Sequence, residues 1–74
     1  MIYSQGGFML GENIKKLRQK KKLTQDKLAR LADIPYTSIT KIETGVIKKP
    51  SVQTAAKIAR ALNVTLDYLM EGVL

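Results

Sequence analysis

The residues best placed to do chemistry in this chain are small and polar. Tyr36, Thr37, Thr40 and Lys41 follow a tight break at Asp33-Ile34-Pro35. They occupy the side of a short helical pattern that is left outward once Ile39 and Ile42 face in. Hydroxyls and one ammonium in that arrangement exchange hydrogen bonds; they do not make or break covalent ones. An α-helix fits a DNA major groove, and its first turns present such groups to base edges. Bond-making chemistry lacks its parts. There is no histidine and no cysteine, which removes the commonest general base, the thiol nucleophile, disulfides and Cys/His zinc sites. No glycine-rich phosphate loop and no usefully spaced carboxylate pair is present. Glu43, Asp67 and Glu71 read as helix-end and salt-bridge residues. The expectation is a binding module, not an enzyme, with no metal or cofactor.

Charge points the same way. The chain carries a net charge of +7 from 13 basic and 6 acidic residues. Residues 15–49 hold eleven of the basic residues against three acids, Asp26, Asp33 and Glu43. A one-sided excess of this kind suits a polyanion partner, although it also suits a solvated surface. No apolar run approaches the ~20 residues of a membrane span. Residues 1–8 lack the pattern of a secretory signal. The expected location is the cytoplasm.

These side chains must be positioned by a scaffold. At 74 residues the chain is the size of one domain, with a thin core. It divides into a flexible arm over residues 1–9 and a helical domain over residues 10–74. A first helix spans about Gly11 to Lys21, with Leu10, Ile14 and Leu17 on one face. A second starts at Thr24, a good N-cap, and turns Leu28, Leu31 and Ala32 inward. Asp33 tolerates the left-handed backbone that a tight break needs. The third helix covers about Tyr36 to Thr44 and stops at Gly45. Ser51 caps a fourth, with Val52, Ala55, Ile58, Ala59 and Leu62 as its apolar stripe, ended by Asn63. Thr65 caps a short fifth in which Leu66, Leu69 and Met70 face the core, closed by Gly72. Five helices without a convincing strand make an all-α domain.

Several segments together resemble a known family. Thr24-Gln25-Asp26-Lys27-Leu28-Ala29, Ile39-Thr40-Lys41-Ile42-Glu43-Thr44-Gly45, Lys49-Pro50-Ser51 and the run from Ala59 to Leu69 are similar to the Cro/phage-repressor (XRE-like) helix-turn-helix family. The likeness covers residues 10 to 71. It implies a five-helix, lambda-repressor-like DNA-binding domain whose third helix enters the major groove of double-stranded DNA. It also implies a transcriptional regulator, a repressor acting on a palindromic operator. Gln25 matches the glutamine that binds a backbone phosphate and braces a recognition side chain. Lys41 matches an outward residue of the recognition helix and is the candidate to donate to guanine O6 or N7, or to a phosphate. Tyr36 and Thr37 would touch thymine methyls or phosphates, and Thr40 shares their face. Lys48 and Lys49 match a loop that approaches phosphates. Glu43 matches an acid that pairs with an arginine of the first helix, here Arg18. Ser38 fits close packing of the helix pair.

Two positions depart from the family pattern. Asp33 stands where glycine is usual, and Pro35 stands where a Ser or Thr cap is usual. The family binds DNA as a homodimer, with half-sites roughly 34 Å apart. Tyr68, Met70 and Val73 offer apolar surface for such an interface, and Val73 and Leu74 equally suit a tail folded on its own core. The competing reading is an antitoxin or adaptor whose main partner is a protein, a toxin or another regulator. An adaptor would be free to lose Gln25, Lys41 and the loop lysines, and this chain keeps them.

Overall fold

Helix starts and stops are written into short local signals along this chain. The computed structural model describes residues 9–71. Among them are five helices and no strand: α1 (Met9–Lys20), α2 (Gln25–Ala32), α3 (Tyr36–Glu43), α4 (Val52–Ala61) and α5 (Leu66–Leu69). Thr24, Ser51 and Thr65 each accept a backbone N–H three residues on, from Lys27, Thr54 and Tyr68 at 3.0, 3.1 and 3.0 Å. Each such cap is worth about 1 kcal/mol. That matters for helices of two or three turns, which are not stable alone in water.

Three helix ends share one device. Lys22, Asp33 and Asn63 adopt left-handed backbone with φ of 58°, 59° and 60°. Each donates its N–H three residues back, and the next residue donates five back: Leu23 to Arg18, Ile34 to Ala29 and Val64 to Ala59, all at 3.0 Å. This is the Schellman ending, in which the residue after the turn is apolar and folds back. Leu23, Ile34 and Val64 do so and pack against the core.

The helices then bury one cluster. Leu10, Ile14, Leu28, Ile39, Ile42, Ile58, Leu62 and Leu69 are almost wholly removed from solvent. Burying each such side chain is worth roughly 1.5–3 kcal/mol. α2 packs on α3 and α4, α1 lies across α3, and α5 closes the cluster against α4 and α1.

Several boundaries and faces differ from the sequence reading. α1 starts at Met9, inside the stretch assigned to the arm, and Gly11 lies within the helix. Gly11 is buried, and a Cβ there would collide with the Ile42 carbonyl oxygen and meet the Glu43 Cα at 3.2 Å. Its role is close approach of α1 to α3, not helix initiation. Leu31 is 53% exposed, because Leu28, Ala29 and Ala32 form the inward face of α2. Leu31 lies about 100° round the helix from the centre of that face. Val52 is exposed because it is the first residue of α4, one turn before the stripe that meets its neighbours at Ala55. Met70 is partly exposed because α5 ends at Leu69. Residues 1–8 of the arm, Gly72 and the tail of Val73 and Leu74 lie outside the described residues.

Two substitutions test these close approaches by thermal unfolding. Gly11→Ala should lower stability by about 1–3 kcal/mol, since the new methyl meets backbone that cannot turn aside. An unchanged midpoint would mean that α1 and α3 stand further apart. Lys22→Gly should stabilise by about 0.5 kcal/mol. Relief of left-handed strain is offset in part by glycine's freedom in the unfolded chain. A lowered midpoint would contradict the strain argument.

Candidate nucleic-acid interface

The turn between α2 and α3 sets the direction of everything that follows. Asp33 reverses the chain in left-handed geometry, with φ 59° and ψ 47°. Pro35 then occupies the N-cap position of α3 with φ −62° and ψ 144°, and no side chain caps the helix. Ile34 and Ile39 flank that cap at the spacing of a hydrophobic staple, and both belong to the core cluster. The staple aims α3 where a hydroxyl cap would otherwise have helped.

With Ile39 and Ile42 buried, α3 presents its other side outward. Thr37, Thr40, Lys41 and Thr44 recur at i, i+3, i+4 and i+7, so they form one polar stripe. Thr37, Lys41 and Thr44 are exposed, and Thr40 is half-buried. Tyr36 flanks the stripe, 49% exposed. Thr44, at the helix end, joins the stripe as the C-cap residue of α3. The seven-residue spacing from Thr37 was the signal that would have placed it on the stripe.

Behind the stripe stands a charged clamp. The Glu43 side chain is only 3% exposed and that of Arg18 12%. Arg18 Nε donates to Glu43 Oε2 at 2.8 Å, and a terminal guanidinium nitrogen donates to Oε1 at 3.0 Å. The other terminal nitrogen donates to the Leu23 carbonyl at 2.8 Å. Gln25 Nε2 donates to Glu43 Oε1 at 3.0 Å. One carboxylate therefore joins the end of α1, the start of α2 and the end of α3. The surface pair between Arg30 and Asp26, 3.1 Å long, is far more exposed. It contributes only a few tenths of a kcal/mol.

The remaining basic candidates lie elsewhere. Gly45, at φ 86°, turns the chain out of α3, and Ile47 N–H donates to the Lys41 carbonyl at 3.0 Å. Lys48 and Lys49 are exposed on the loop that follows. They border an apolar hollow with Leu10, Val52, Leu66 and Met70. They stand beside α4 and α5 and not on the Thr37–Thr44 stripe. Lys20 and Lys21 border a groove with Val64 and Tyr68, between α1 and α5. Among the described residues no cluster of carboxylates could hold a metal ion, and no helix is long and apolar enough to cross a membrane.

Two helices joined by a three-residue turn, the second with an outward polar stripe, define a helix-turn-helix domain. A family model described as Helix-turn-helix matches residues 14–69, and the chain belongs to that family, in its Cro/phage-repressor-like form. Over 64 residues it is 41% identical to an uncharacterized HTH-type transcriptional regulator of Bacillus subtilis (strain 168), YqaE. That match covers 86% of this chain and 54% of the relative. Among solved structures, SinR of Bacillus subtilis in complex with DNA superposes with a TM-score of 0.82 at 28% identity. That superposition covers 85% of this chain and all of the other. The P22 c2 repressor in complex with a synthetic operator has a TM-score of 0.76 at 27% identity, covering 85% and 94%. The chain spans about half the length of the curated relatives it matches.

Removing one side of a nearly buried pair leaves the other charge uncompensated, at a cost of about 3–5 kcal/mol. A domain of this size has a total stability on the order of 4–11 kcal/mol. Arg18→Ala should therefore leave the chain marginally folded, as measured by urea unfolding. Arg18→Lys, which loses the two-pronged geometry, should fall between. Wild-type stability in the alanine variant would contradict a structural role for the clamp.

Proposed function

We propose that this chain is a sequence-specific, double-stranded-DNA-binding transcriptional regulator, a repressor, that inserts α3 into the major groove. The observation that carries the reading is the Thr37–Thr40–Lys41–Thr44 stripe on the outward side of α3 and its C-cap, backed by the Arg18–Glu43–Gln25 clamp. A helix entering a groove must resist tilting. The clamp and the buried isoleucines hold α3 against α1 and α2, so its polar side is presented ready-made. Two similar proteins of this fold, SinR and the P22 c2 repressor, have been solved with DNA.

In this reading Lys41 donates to guanine O6 or N7, and Tyr36, Thr37 and Thr40 complete the base-edge face. Lys48 and Lys49 contact phosphates beside it. Gln25 keeps one amide proton on Glu43 and has its second for a phosphate. The protein works in the cytoplasm as a homodimer on a palindrome, with half-sites roughly 34 Å apart. Tyr68 and Met70, both partly exposed near the end of the described chain, supply apolar surface for the pairing.

Selection of bound duplexes from a random pool tests this directly. A palindromic site should emerge, and Lys41→Ala should relax the preference at one base pair per half-site, at a cost of about 1–3 kcal/mol. Lys48→Ala and Lys49→Ala should weaken all sequences alike. Each should also lower the salt-dependence slope by about one. Recovery of no enriched duplex, or binding insensitive to salt, would overturn the proposal.

A further inference from the structure

The hydroxyl groups on the α3 stripe are not all free to act. Thr40 Oγ1 donates to the Thr37 carbonyl at 2.9 Å. Thr44 Oγ1 donates to the Thr40 carbonyl at 2.8 Å, with a longer approach of 3.3 Å to the Lys41 carbonyl. A hydroxyl has one proton to give. In both threonines it is given to the helix's own backbone. What remains for a ligand is an oxygen that can only accept, and a methyl group. Among the described residues nothing forms an ion pair with Lys41, which remains the cationic donor between them.

Base pairs differ in what they offer to such a surface. In the major groove an A·T pair shows adenine N7, the adenine N6 amino donor, thymine O4 and, at the far end, the thymine C5-methyl. It thus matches an accepting oxygen and a methyl at once. A G·C pair shows two acceptors on guanine and an amino group on cytosine, with no methyl. The cytosine amino group could also donate to an accepting oxygen, so the thymine methyl is what sets A·T apart. Guanine's acceptors would face an oxygen with no proton left to share. Donation from either threonine to guanine or to a phosphate would first break a bond already made.

We propose that Thr40 and Thr44 are specificity-determining residues that select A·T base pairs through an accepting oxygen and a methyl contact, while Lys41 selects the guanine near them. The proposal deepens the DNA-binding reading above and rests on it. It makes Thr44, at the C-cap of α3, part of the reading surface. It also separates Lys41, which donates, from Thr40 and Thr44, which accept.

The test starts from the site recovered by duplex selection with the wild-type chain. Affinity is then measured for sites in which single thymines are replaced by uracil, which removes only the methyl. Thr40→Ser, Thr44→Ser, Thr40→Val and Thr44→Val are measured on the same sites, with folding checked by circular dichroism. Uracil at the A·T pairs facing these residues should weaken wild-type binding about fourfold, the worth of one buried methyl-sized group. The valine variants, which keep a methyl, should retain that penalty. Each serine variant should lose it at one position only. A uracil penalty that is absent everywhere, or that survives both serine substitutions, overturns the proposal while leaving the regulator reading intact. So does a serine variant whose preference changes at a G·C pair. Failure to recover any site overturns the regulator reading itself.

Discussion

The Glu43 carboxylate is the point through which the first three helices become one body. A carboxylate this far from water would cost several kcal/mol if left alone. It also stands at the last residue of α3, where the helix dipole disfavours negative charge. Both penalties are met by the same partner. Arg18 offers two parallel N–H groups, the geometry that suits a carboxylate best, and Gln25 adds a third donor. The guanidinium spends its remaining terminal nitrogen on the Leu23 carbonyl, where the chain leaves the α1 turn. The arrangement is directional in a way that apolar packing is not. Isoleucines at 39 and 42 hold α3 down, whereas the clamp stops it from rolling.

That distinction links stability to recognition. The hydrophobic term has no preferred direction, so burial of Ile39 and Ile42 alone fixes the angle of α3 less sharply than hydrogen bonds do. A rotation of one residue's worth would carry Thr37 and Lys41 off the outward face. Fork-shaped hydrogen bonds at 2.8 and 3.0 Å penalise such a motion at once. Close approach helps too: Gly11 lets α1 ride directly on the Ile42 and Glu43 backbone. The polar stripe of α3 is therefore held in place by contacts made on the opposite side of the helix that carries it.

The stripe itself illustrates how local geometry narrows chemistry. Threonine counts as both donor and acceptor in isolation. Within a helix its hydroxyl can turn back onto a carbonyl three or four residues earlier, and at positions 40 and 44 it does. Identical side chains at different points of one helix thus carry different information. Binding functions depend on such details more than on composition, since a net charge of +7 suits a solvated surface as well as an anionic partner.

The number of helices, their caps and their order were legible from the residues alone. Thr24, Ser51 and Thr65 announce helix starts, and Asp33 and Asn63 announce turns, because the atoms involved lie within a few residues of one another. The outward face of α3 was legible for the same reason, since Ile39 and Ile42 leave only one side free. The Arg18–Glu43 pair was implied by family resemblance and not by spacing, as 25 residues separate its members. Tertiary structure decided what depends on where separate helices cross. It turned Leu31, Val52 and Met70 toward solvent, buried Gly11 under α3, and put the Gln25 amide on Glu43. It also held Lys22 in left-handed backbone so that Leu23 could reach the core. An apolar residue is inside only if another element arrives to cover it, and no local pattern carries that information.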